Sequence, residues 1–188
     1  MREYKSVKKY IWIMLLVFMV GVFMGGIYAA GIKGADADEI YEYLCGFFEN
    51  NTRSGGEVFL TSFLDNLKLF ALIFTAGFFK IGTVFIMSAG CVEGFISGFT
   101  SASVIKSLGS RGLLLNLSSV FSVVIFVIGL LFFGAYSMEF GLSGKKREKN
   151  LKKKYIIISS IFLTIFCIAS LFDGYITTVF MKFIVTGT

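Results

Sequence analysis

Long apolar blocks alternate along the chain with short polar ones. The apolar blocks run from about Tyr10 to Ile32, Leu67 to Val104, Leu113 to Met138, and Tyr155 to Phe172. About 20 apolar residues in a helix cross a hydrocarbon core of ~30 Å. The first, third and fourth blocks accommodate one pass each, and the second is long enough for two. The pattern predicts an all-α polytopic membrane protein, one membrane domain over residues 1–188. Its five transmembrane helices fall at about 10–32, 62–80, 82–104, 113–138 and 155–173. A re-entrant hairpin over 67–104 is the alternative to two full spans.

Charge orients these spans, because cytoplasmic flanks collect Lys and Arg. Arg2, Lys5, Lys8 and Lys9 precede the first span. The stretch 144–154 carries seven bases and one acid. Both are therefore expected inside, with an even number of crossings between them. The N-terminus is then cytoplasmic and the C-terminus extracytoplasmic. Lys80-Ile81-Gly82 fits the inner turn of the double pass, whereas Lys106 and Arg111 fall outside, against the rule. The first block is too long for a secretory core and its end, Tyr28-Ala-Ala-Gly31, lacks A-x-A spacing, so it reads as an uncleaved anchor.

Residues 33–61 form the extracytoplasmic segment. Asp36-Ala-Asp-Glu39 and Ser54-Gly-Gly-Glu57 fit capping boxes, each a helix start. Ile40, Tyr43, Leu44, Phe47 and Phe48 follow the first at helical spacing. Phe59, Leu60, Phe63, Leu64 and Leu67 follow the second and run into the second span. These predict short amphipathic helices at the outer membrane surface, either closing the bundle or receiving a partner on their aromatic faces.

Composition narrows the chemistry. The mean hydropathy is +0.81, and 56% of residues are hydrophobic. Such a chain leaves little room outside the membrane for a soluble catalytic domain. There is no His, which removes Ser-His and Cys-His dyads and imidazole-based metal sites. Cys45, Cys91 and Cys167 are far apart, so neither a disulfide framework nor a metal site is expected, and no cofactor is implied. Only Cys45 lies outside the apolar blocks. The basic loop 144–154 lies between two spans, so anionic lipid rather than nucleic acid explains it.

Membrane helices associate through small residues and interhelical hydrogen bonds, since lipid is as apolar as they are. Gly21 and Gly25 form one such line in the first span, and Gly90, Gly94, Gly98 and Ala102 another in the third. These are candidate helix-packing or partner interfaces. Glu93 lies beside the second line, with Ser97 and Ser101 continuing its own. Asn116, Ser122 and Asp173 fall on the outer side of other spans. Together Glu93, Ser97, Asn116, Ser122 and Asp173 make a candidate polar cluster. An acid deep in a bilayer is by default a functional candidate. Here it is a structural acid held by a serine, part of an ion or proton path, or a partner contact.

The order of features also carries a resemblance. Ser62-Phe-Leu-Asp-Asn-Leu-Lys68 opens the second span, with Phe63, Asn66, Leu67 and Lys68 as its motif. Ile81-Gly82, the Gly94-Phe95 and Gly98-Phe99 repeats, and Gly109-Ser-Arg-Gly-Leu-Leu-Leu115 follow. Nearly the whole chain resembles the stage II sporulation protein M family. It departs from that pattern near Ser118–Ser122, where relatives often carry a Pro and this chain has none.

The resemblance implies a multi-pass protein of the septal or engulfing mother-cell membrane in endospore-forming bacteria. It implies a non-enzymatic scaffold that holds two peptidoglycan-degrading partners, stage II sporulation proteins D and P, during engulfment of the forespore. Self-association into a homo-oligomer stays open. The competing reading is a small transporter or channel built on Glu93, Ser97 and Ser122. An intramembrane hydrolase would need Glu93 and Asp173 to face each other.

Overall fold

The computed structural model describes the backbone of residues 2–49, 54–143, 149–177 and 179, with side chains inside those ranges except 2–6, 45, 47–49, 149–150 and 177. All regular structure among these residues is helical. The elements are α1 (Arg2–Gly31), α2 (Ala35–Glu49), α3 (Gly55–Ala76), α4 (Gly82–Leu142) and α5 (Lys149–Leu171), which continues into a π-helical turn, Phe172–Thr177. Four stretches are long and apolar enough to cross a membrane: Val7–Gly31, Gly55–Ala76, Gly82–Leu142 and Leu151–Ile176.

α4 is a hairpin. Its 61 residues would extend roughly 90 Å if straight, three times a hydrocarbon core. Instead the chain reverses at Gly109, where φ is 56° and ψ −126°. That conformation is open to glycine and costly for other residues. Past the turn, the Asn116 side-chain amide donates to the Ser101 carbonyl at 3.0 Å, and a Cβ on Gly112 would overlap the Val104 carbonyl. The second limb then continues as unbroken helix through Ser118–Ser122, in keeping with the absence of Pro there.

Contacts fix the directions of the helices. Met14, Phe18 and Val22 of α1 meet Gly90, Gly94 and Gly98, so α1 runs parallel to the first limb of α4. α3 runs antiparallel to α5, with Ser62 on Asp173, Asn66 on Ser170 and Phe70 against Phe166. The order α1, α3, first limb, second limb, α5 therefore alternates in direction. Lys80 and Lys154 lie toward one end of the bundle, with Tyr155 reaching Gly77 there. Lys106 and Arg111 lie at the other, beside the hairpin turn.

The amphipathic reading of 33–61 changes in three ways. First, the Asp36 box does not form. α2 starts two residues earlier than that cap implies, at Ala35, and Gly34, at φ 66°, supplies the carbonyl that accepts from the amides of Ala37 and Asp38. Asp36 and Asp38 lie in the first turn, where acids complement the helix dipole. Second, the Ser54 box does form: the Ser54 hydroxyl accepts from the Glu57 amide at 3.3 Å, and the Glu57 carboxylate accepts from the Ser54 amide at 3.2 Å. It opens α3 itself, so 55–61 belongs to a spanning helix rather than a separate surface helix. Third, Ile40 and Leu44 of α2 are half-buried whereas Tyr43 is exposed, and Phe47 and Phe48 lie outside the described side chains.

The core gathers Met14 and Phe18 from α1, Ile73 from α3, Ile86, Leu130, Leu131, Phe133 and Met138 from α4, and Phe166 from α5. Aromatic rings join the helices where water is absent and dispersion decides. Phe70 stacks on Phe133 at 4.9 Å, and Phe140 on Tyr155 at 4.1 Å. The Tyr155 hydroxyl, fully buried, lies 3.0 Å from the Ser137 hydroxyl and 3.1 Å from the Phe74 carbonyl, so one side chain ties α3, α4 and α5.

Candidate functional site

The glycine lines meet each other. A Cβ on Gly21 would overlap the Cys91 carbonyl, and one on Gly25 the Phe95 carbonyl. In the reverse direction, a Cβ on Gly94 would overlap the Phe18 carbonyl and one on Gly98 the Val22 carbonyl. Gly90 receives the Met14 methyl, at 2.9 Å from where its Cβ would lie. The spacing of four in both helices puts these residues on one face each, and two such faces allow backbone-to-backbone contact. Tyr28 closes the flank against Phe95 and Phe99, both at 6.0 Å between ring centroids. The seam is thus filled by this chain's own α1. Gly26, beside it, has nothing within 4 Å.

The five polar residues grouped by sequence do not form one cluster. Asn116 bonds the Ser101 carbonyl near the hairpin turn. The Ser122 hydroxyl donates to the Ala169 carbonyl of α5 at 3.0 Å. Asp173, in the π-helical turn, accepts from the Ser62 hydroxyl at 3.1 Å. Ser97 lines an open groove of ≈ 640 Å³ between α1 and both limbs of α4, with Gly26, Ser101 and Val127 among its walls. Glu93 is half-buried and makes no hydrogen bond or ion pair among the described residues. The residues diverge because each points to the helix its own register selects, which residue type does not reveal.

Five residues contribute in ways that the sequence did not reveal. Asn66, marked there only as part of a motif, donates to the Ser170 hydroxyl at 2.9 Å. Asp65, in the same motif, pairs with Lys68 at 2.8 Å. Gly55 and Gly174 bring α3 against the π-helical turn, where a Cβ on either would lie within 2.6–2.7 Å of the other's carbonyl oxygen. Lys106, the misplaced base, donates to the carbonyls of Ala29, Ala30 and Ile32 at 3.1, 3.1 and 2.5 Å. These belong to the C-terminal turn of α1 and the residue just beyond, where carbonyls lack helical partners and a cation is favoured. A cavity of ≈ 200 Å³ at this end, between α1, α2 and α4, is lined by Ala37, Tyr41, Ser103 and Lys106 among others.

Among the described residues no group of three or more Cys, Asp or Glu could hold a metal ion. Glu93 shares no hydrogen bond or ion pair with Asp173, which accepts from Ser62. The architecture therefore defines an integral membrane protein of packed apolar helices, joined by a glycine seam and isolated polar ties. The chain belongs to the Stage II sporulation protein M family, whose match covers residues 14–178. That range takes in α1 from its core residue Met14 through the π-helical turn. No curated protein and no solved structure matches the chain. Family membership makes this a sporulation-related membrane protein, in a family of membrane proteins rather than of known enzymes.

Proposed function

We propose that this protein is a non-enzymatic membrane scaffold of endospore formation. It anchors and positions peptidoglycan-degrading proteins at the septal membrane while the mother-cell membrane engulfs the forespore. The proteins it would hold are stage II sporulation proteins D and P. The observation that carries the reading is the family match across helices that are almost wholly apolar, with little polar chain between them. Such a body can hold other membrane proteins, and its described residues assemble no acid–base or nucleophilic set. Its orientation in this reading has the N-terminus in the cytoplasm and the C-terminus outside. The alternating helix directions and the bases at 145–154 support that placement.

A transporter would need a connected polar path. Ser97 lines the groove beside α1 and Ser122 is tied to the Ala169 carbonyl, while Glu93 bonds to neither, which favours the scaffold. The deciding experiment is cross-linking in sporulating cells, followed by identification of what is recovered. Wall hydrolases are expected. Their absence, under conditions that retain other membrane complexes, would overturn the reading.

A further inference from the structure

The two ends of the bundle differ in charge. Lys8, Lys9, Lys80, Lys152, Lys153 and Lys154 are exposed at the end where Tyr155 reaches Gly77. Glu139, half-buried, is the one acid among the described side chains there. Beside these bases lies a groove of ≈ 320 Å³ where α1, α4 and α5 meet. Val7, Leu151 and Ile158 give it apolar walls, and Tyr136 and Phe140 give it aromatic ones. Both rings stack on the buried Tyr155, at 5.9 and 4.1 Å between centroids, so that side of the groove is held in place. Lys154 lines the same groove.

Val7 and Leu151 begin stretches long and apolar enough to span a membrane. The groove therefore lies at the level where hydrocarbon gives way to headgroups. Its lining passes from apolar to basic at that same level. The matching ligand has a negative head and an apolar body. An acidic peptide carries the charge without the body, and a second copy of this chain brings the same bases and repels. Basic pockets between membrane helices suit anionic lipid headgroups. The volume is at the low end of the ~300–1,000 Å³ usual for small-molecule sites, which fits one headgroup and the start of its acyl chains. Glu139 also lines the groove and offsets one base, but the end stays strongly basic. Six exposed lysines alone would gather anionic lipid loosely around this end. The groove gives one molecule a fixed place.

We propose that this groove is a binding site for one anionic phospholipid, its phosphate against Lys154 and its acyl chains along Val7, Leu151 and Ile158. Seated there, the lipid touches α1, α4 and α5 at once. The site goes beyond the scaffold reading and does not depend on it.

The test uses the full chain in phosphatidylcholine vesicles with a minor share of phosphatidylglycerol. Release into mild detergent, followed by native mass spectrometry, counts the lipids that stay bound. The unaltered protein is expected to retain one phosphatidylglycerol, enriched about fivefold over its share of the vesicle lipid. Lys154→Gln is expected to remove that enrichment. Lys80→Gln, which deletes the same charge outside the groove, is expected to keep it. Ile158→Trp fills the groove without altering charge and is expected to remove it. A soluble polyglutamate peptide is expected not to displace the lipid. Absence of enrichment on the unaltered protein, equal losses in the two lysine variants, enrichment that survives Ile158→Trp, or displacement by polyglutamate would each overturn the proposal. The first and last of these use the unaltered chain, so misfolding of a variant does not obscure them. Recovery of wall hydrolases from cells despite such a failure would retain the scaffold and discard only this site.

Discussion

Lys106, beside the turn of α4, reaches the carbonyl of Ile32 at 2.5 Å, with the carbonyls of Ala29 and Ala30 in the same grasp. Three ammonium protons thus meet three acceptors that the end of α1 leaves open. The base that defied the charge rule is explained by helix capping. Lys106→Met is expected to lower stability by about 1 kcal/mol, since bonds to a charged group are strong but these are partly exposed and screened. Faster amide exchange confined to residues around 29–34 would check it. Lys106→Arg should retain most of the protection.

Three neighbouring glycines separate packing from mere composition. Gly25 and Gly94 abut backbone across the α1–α4 seam, whereas Gly26 has open space. Backbone cannot swing aside as a side-chain tip can, so Gly25→Leu and Gly94→Leu force the helices apart. Each is expected to cost about 3 kcal/mol or more, at or above the usual range for overpacking. Gly26→Leu is expected to leave the melting temperature in detergent nearly unchanged. Equal melting temperatures for Gly94→Leu and the parent would mean that α1 does not fill this line.

What the sequence shows depends on the kind of signal. The Gly90–Gly94–Gly98 spacing reveals a flat face because helical periodicity alone puts those residues together. It does not name the partner, and only the register of α1 shows that Phe18 and Val22 fill the line. Apolar length likewise reveals the spans, and the crowded Gly109–Gly112 stretch is consistent with the turn. The polar residues mislead because their partners lie over a hundred residues away in two cases, Ser62 with Asp173 and Asn66 with Ser170. Residue type and leaflet depth could not separate them. Asp65 was hidden in a motif read as a helix entry, and its exposure is a property of the assembled bundle.

Tyr155 offers a graded test of the polar ties. Its hydroxyl joins Ser137 and the Phe74 carbonyl, while its ring stacks on Phe140. Tyr155→Phe keeps the ring and removes the bonds, for an expected loss of ~1 kcal/mol. Tyr155→Ala also removes the ring from a fully buried site, for an expected loss of ~3–5 kcal/mol. Thermal unfolding of the two variants in one detergent would rank them. Equal losses would place the whole effect in the hydroxyl.

The hairpin turn sets the connection between two limbs, and lipid leaves the chain little choice about making it. Gly109 sits at φ 56°, ψ −126°, where a Cβ is strained although nothing lies within 4 Å of it. Gly109→Ala is therefore expected to cost about 1–3 kcal/mol through backbone strain rather than through a clash. Straightening α4 would relieve that strain but would drive an apolar limb out of the bilayer, at far greater cost. The substitution should thus weaken the fold without changing its path. Ser101→Cys with Asn116→Cys checks this with a flexible bis-maleimide, because Asn116 bonds the Ser101 carbonyl across the hairpin at 3.0 Å and the two side chains lie within reach of such a reagent. The pair is expected to cross-link both with Gly109 present and with Gly109→Ala, at a lower melting temperature in the latter. Loss of the cross-link in the Gly109→Ala chain alone would show that the glycine, and not the lipid, dictates the reversal.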